Sequence, residues 1–125
     1  MGTRSLTFVY DGRAKVMCLY RQFDGYPSGH GSDLAKFLES GTLVNGYSTK
    51  GAPQFNGMGC LAAQLVAKLK DGVGNFYLYP TSTKDVGQEY EYHVYANKVV
   101  VKDVGSLVIF SGTWKDFGEF CNATN

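Results

Sequence analysis

Three absences narrow this chain before any motif is read. No apolar run approaches the ~20 residues a membrane span needs, so none is expected. There is no surplus of one charge either: 12 basic residues stand against 11 acidic, a net +1. That balance argues against a general nucleic-acid coat and against a polybasic membrane anchor. Metal-ligating side chains are scarce. Cys18, Cys60 and Cys121 contain no Cys-x-x-Cys pair, and the two histidines, His30 and His93, stand far apart. No zinc site and no cofactor are expected. The odd cysteine number and the apolar neighbourhoods predict reduced thiols facing the core, and with them a cytoplasmic setting. The opening Met1-Gly2-Thr3-Arg4-Ser5 runs into a strand pattern without a signal-peptide apolar region, and Gly2 is read as part of that lead-in, not as a lipidation site.

Aromatic residues are plentiful: 9 Tyr, 8 Phe and 1 Trp. They suit a tyrosine-rich sheet with one solvated face. Some of the tyrosines would also suit a pocket or a subunit interface, so a homo-oligomer is a further expectation. A chain of 125 residues is read as one domain spanning 1–125. A domain of that size buries roughly two-thirds of its unfolded surface without staples.

The residue patterns set out the elements. Leu6–Tyr10 and Val16–Tyr20 read as strands around an Asp11-Gly12 hairpin signal, and the second, almost wholly apolar, should be central. Ser32 as N-cap, Leu34, Phe37 and Leu38 at helical spacing, and Gly41 at the end predict a short helix. Thr42 to Asn56 reads as a long loop. Met58, Leu61, Ala62, Leu65, Val66 and Leu69 form the clearest helical stripe, closed by Gly72. Strand patterns follow over Phe76–Tyr79, Glu89–Tyr95, Val99–Val101 and Leu107–Phe110. Trp114, Phe117, Phe120 and Cys121 carry a terminal helix. The fold class is α+β: a mainly antiparallel sheet of about six strands with two to three helices on one face.

The stretch from Tyr20 to Asp33 carries the chemistry. Arg21, Asp24 and His30, with Gly25, Gly29 and Gly31, stand between an apolar strand and a helix start. Glycines free backbone amides to converge, and a helix N-terminus adds partial positive charge, a combination suited to a phosphate or carboxylate. The stretch is neither a Walker loop nor a dinucleotide fingerprint, since the Gly-Lys-Ser/Thr ending and the glycine spacing are missing. Arg21 and Asp24 suit a local salt bridge or turn as well as a ligand. Arg4 begins the neighbouring strand, so the hairpin brings it to the same open end as Arg21. His30 suits a general base or a hydrogen-bonded loop residue, and His93 is expected on an exposed strand face.

Met1-Gly2-Thr3-Arg4 together with Tyr20-Arg21-Gln22-Phe23-Asp24-Gly25-Tyr26-Pro27 and Gly29-His30-Gly31 resembles a group of small proteins of bacteria, bacteriophages and large viruses that share an MGTR start and a YRxxDGYPxGxG segment. The resemblance covers the first third of the chain. It implies a viral or bacterial cytosolic setting and transfers no catalytic residue. By analogy with small phage proteins, it allows capture of a nucleotide immune signal.

The expectation is a non-enzymatic protein that binds an anionic, nucleotide-like small molecule. Its ligand-binding residues would be Arg4, Arg21, Asp24, Gly25, Tyr26, Gly29, His30, Gly31, Ser32 and Lys50, with Tyr26 stacking on a ring and the loop from Tyr47 to Asn56 closing the site. No catalytic residue is assigned. The alternatives are a small hydrolase or phosphodiesterase using His30 with Asp24 and Arg21, and a protein-interaction module.

Overall fold

The computed structural model describes residues 2–46 and 53–123. Its strands are β1 (Ser5–Asp11), β2 (Ala14–Arg21), β3 (Thr42–Val44), β4 (Gln54–Asn56), β5 (Phe76–Tyr79), β6 (Tyr90–Val94), β7 (Val99–Lys102) and β8 (Val108–Gly112). Its helices are α1 (Ser32–Glu39), α2 (Gly57–Leu69) and α3 (Trp114–Ala123). Six strands form one sheet in the order β5-β2-β1-β6-β7-β8, and β3 with β4 forms a second, two-stranded one. The fold is α+β. The six-stranded sheet is mixed but mostly antiparallel, with β1 and β6 parallel at its centre.

Alternation along the strands sorts side chains to two faces. One face carries Val9, Met17, Leu19, Tyr92, Val94, Val99 and Val101, all buried with Leu34 and Leu38 of α1, Leu61 and Leu65 of α2, and Phe117 and Cys121 of α3. The other carries Leu6, Phe8, Tyr10, Cys18 and Tyr20. The aromatic count suggested a solvated second face, but these residues are buried without a helix over them. Rings do the covering: Tyr10 stacks on Tyr95 at 4.3 Å and Tyr20 on Tyr79 at 5.1 Å. Val86 packs against the same cluster, and Lys15 Nζ lies 4.2 Å over the Phe8 ring. His93 is buried here too, stacked on Phe8 at 5.1 Å, and is not exposed as its alternation suggested.

Other expectations need local correction. The segment read as one loop from Thr42 to Asn56 has a strand at each end, because Phe55 is buried against Phe37 and pins β4 to the core. Ser32 does not cap α1 with its side chain. A π-helical turn, Pro27–Gly31, runs straight into the helix, so Ser32 is already helical and its amide bonds back to Gly29 O and Pro27 O. Helix α2 stops at Leu69, before Gly72. Lys70 turns extended there, and its Nζ donates to Gly74 O and Phe76 O at 2.9 and 2.8 Å. Cys18 and Cys121 are buried as expected, but Cys60 is only half-buried, its thiol 2.9 Å from Gln64 Oε1. Among the described residues, no helix is long and apolar enough to cross a membrane.

Candidate functional site

Arg21 ends β2 on the helix-bearing face, and its guanidinium is spent largely within the fold. Nε donates to Phe23 O at 2.6 Å, and Nη1 donates to Asp33 Oδ2 at 2.8 Å. Nη1 also lies 3.3 Å from His30 Nδ1, and the group sits 4.9 Å over the Phe76 ring. An arginine has no acceptor, so His30 Nδ1 must accept and the imidazole proton sits on Nε2. Nε2 then donates to Thr7 Oγ1 at 2.6 Å. His30 is fully buried, edge-on to Tyr92. Burial first, and the Arg21 charge second, hold its pKa down at about 3. It is a neutral structural imidazole, out of reach of a ligand. Tyr92 completes the cluster, donating its hydroxyl to Gly25 O at 2.7 Å. Ser5 Oγ is buried beside it with no hydrogen-bond partner among the described residues.

The glycine loop is committed in the same way. Gly25 N donates to Thr3 O, Gly29 N to Tyr26 O, His30 N to Asp24 O, and Gly31 N to Tyr26 O. Amides used inside the turn present no cradle to an anion. The glycines answer to close packing. A Cβ on Gly25 would lie 2.8 Å from both Ser5 Cβ and Thr3 O, and one on Gly31 would lie 2.7 Å from Cys121 Sγ. Asp24 takes the left-handed conformation (φ 61°) and accepts the Tyr26 hydroxyl at 3.2 Å. The Asp24 charge first, and that bond second, push the Tyr26 phenol upward.

Arg4 does not join Arg21. Ser5 pairs with Arg21, so Arg4 is one step out of phase and its side chain lies on the opposite face of the sheet. There its charge works against the burial that raises the Tyr20 pKa, and its guanidinium approaches Gly87. Lys50 and Tyr47, the proposed closing residues, lie outside the described residues.

The concave surface that Arg21 does reach is a groove of about 730 Å³ between α1, α2 and β5. Its charged lining is Arg21, Lys36 and Lys68 against the single carboxylate of Asp33. Phe37, Phe55 and Phe76 line it with rings, and Ser40 and Gln64 supply neutral polar groups. Ligand pockets span roughly 300–1,000 Å³ and pair apolar walls with a few placed polar groups, which this groove matches. Lys36, Lys68, Phe37 and Phe76 escaped the sequence reading, whereas Phe55 belongs to the loop expected to close the site. The available signal was Asp33, Lys36, Phe37 and Ser40 at i, i+3, i+4 and i+7, one face of α1. Their meeting with Lys68 and Phe76 depends on how α1, α2 and β5 dock.

A second polar cluster lies on the far face. Tyr10 Oη is 2.7 Å from His93 Nδ1, and His93 Nε2 is 3.0 Å from Glu91 Oε1. The hydrogen bond from His93 lowers the Glu91 pKa, while burial raises that of Tyr10. Tyr10 is buried under Tyr95, so the chain Glu91–His93–Tyr10 ends inside the ring stack. Among the described residues, no group of His, Cys, Asp or Glu side chains is placed to hold a metal ion. Neither a protein-family model, nor a curated protein, nor a solved structure matches this chain.

Proposed function

We propose that the chain is a binding protein for an anionic, nucleotide-like small molecule, taken up in the groove between α1, α2 and β5. The observation that carries this reading is the charge and shape of that groove: three cations and one carboxylate around about 730 Å³ with aromatic walls. Arg21 is held rigidly by Phe23 O, Asp33 and His30, so it meets a phosphate or carboxylate without losing side-chain freedom on binding. Lys36 and Lys68 reach in from exposed positions on two helices. Phe37 and Phe55 are buried against each other and back the groove as its apolar floor. A ligand held without turnover would be sequestered, which is how such a protein could capture a nucleotide signal. The hydrolase alternative loses its base, since His30 is buried and both its ring nitrogens are engaged.

The test is titration of a mononucleotide panel by calorimetry, with chromatography of the mixtures afterwards. The expected result is binding of intact nucleotide, weakened about tenfold or more by Lys36→Glu combined with Lys68→Glu, in line with charge-assisted contacts of roughly 1.5–3 kcal/mol. Equal binding by the double variant rejects the groove, and a hydrolysed product rejects the non-catalytic reading.

A further inference from the structure

The groove does not end at its charged lining. Beyond Leu69 and Phe76, which line both spaces, lies a second hollow of about 340 Å³. Its floor is Leu19, buried to 2% exposure, and its walls include Val66 on α2 and Leu78 on β5. Leu78 pairs with Leu19 across the sheet, yet it remains 63% exposed. Leu78 thus leaves apolar surface open beside the apolar floor of the hollow.

We infer that the anionic ligand of the groove also carries a hydrocarbon arm, which fills the hollow between Val66, Leu69 and Leu78. The inference rests on the anion-binding reading of the adjoining groove and specifies its ligand: an amphiphilic anion such as an alkyl or acyl phosphate ester. Charge complementarity fixes the orientation. The head faces Arg21, Lys36 and Lys68, and the arm passes Leu69 and Phe76 into a space whose one charged lining residue, Lys70, has its ammonium bonded to Gly74 O and Phe76 O. The main competitor is a peptide strand added to the free edge of β5. That edge is poorly suited to it, because the Phe76 amide bonds Gly74 O at 2.7 Å and the Phe76 carbonyl already accepts Lys70 Nζ. A strand needs those groups for its ladder, whereas a hydrocarbon chain needs none.

The experiment is calorimetric titration of the full chain with inorganic phosphate, butyl phosphate and octyl phosphate. Each methylene taken out of water strengthens binding by roughly fourfold, so affinity should climb steeply from butyl to octyl phosphate. Leu78→Thr, at an exposed position, should cut octyl phosphate affinity by about tenfold while changing inorganic phosphate binding less than twofold. Octyl and butyl phosphate binding within twofold of each other in the parent protein overturns the arm and leaves the anion site standing. The same holds if Leu78→Thr weakens all three ligands equally. Failure of all three ligands to bind overturns the anion reading itself, and the arm with it.

Discussion

His30 shows how burial can reverse the meaning of a residue. In sequence it is a histidine among glycines, a natural acid or base. In the fold its two nitrogens tie Thr7 to Arg21, and its pKa lies at about 3 against an ordinary value near 6.5. Because the folded value is depressed, the unfolded chain binds a proton that the folded chain refuses. Stability is therefore fully present above about pH 6.5 and declines as the pH falls toward 3, by up to about 1.4 kcal/mol per pH unit. The depressed Glu91 adds its own loss only below its ordinary value of 4.5, in the acidic part of that window. Urea unfolding at pH 7 and pH 5.5 should give this decline, and His30→Gln should flatten it, whatever its cost at pH 7. An identical pH slope in the variant would show that His30 does not carry it. The cysteines separate by the same logic. Burial raises Cys18 to about 11 and Cys121 to about 12, whereas Cys60 is half-buried on α2. One thiol should react quickly with a maleimide in the native protein and the other two only on unfolding. Mass spectrometry that finds Cys18 or Cys121 labelled first would contradict this placement.

At the level of elements, the glycine-rich turn is a packing device. It lets a π-helical turn run into α1 while pressing against β1 and α3. Gly31→Ala drives a methyl group into Cys121 Sγ, so it should destabilise the protein by about 1–3 kcal/mol. Gly59 is the contrasting case. It lies in the first turn of α2 with nothing within 4 Å of an added Cβ. Gly59→Ala should stabilise by about 0.4–1 kcal/mol, through the entropy of the unfolded chain. Denaturant midpoints check both, and a harmless Gly31→Ala would remove the close-packing account. The strand and helix assignments were legible where one period dominates, as in the Met58–Leu69 stripe or the Phe76–Tyr79 run. The β3–β4 pair was not, because three-residue strands leave no periodic signal and Phe55 is recognised as an anchor only once Phe37 is beside it. The end of α2 was missed for a related reason: the Lys70 side chain, reaching two carbonyls beyond the helix, ends it before the glycine does.

For the whole molecule, the parallel contact of β1 with β6 divides the chain's two halves and sets the open edges at β5 and β8. Lys70 blunts the β5 edge by occupying the Phe76 carbonyl. Lys70→Ala should therefore raise concentration-dependent association in sedimentation velocity. A profile that matches the parent protein would mean the lysine does not guard that edge. The candidate site belongs to this scale as well. Of the residues singled out from the sequence, Arg21 lines the groove together with Pro53 and Phe55 of the expected closing loop, joined there by Lys36, Lys68, Phe37 and Phe76. Local sequence determined the α+β class, the hairpin, the two longer helices and the burial of Cys18 and Cys121, because those follow from periodicity and turn chemistry within a few residues of one another. Tertiary structure alone decided that the glycine loop's amides are already bonded, that Arg4 and Arg21 occupy opposite faces, and that cations from α1, α2 and β2 meet at one groove. Each of those depends on strand register and helix docking, which bring together residues tens of positions apart.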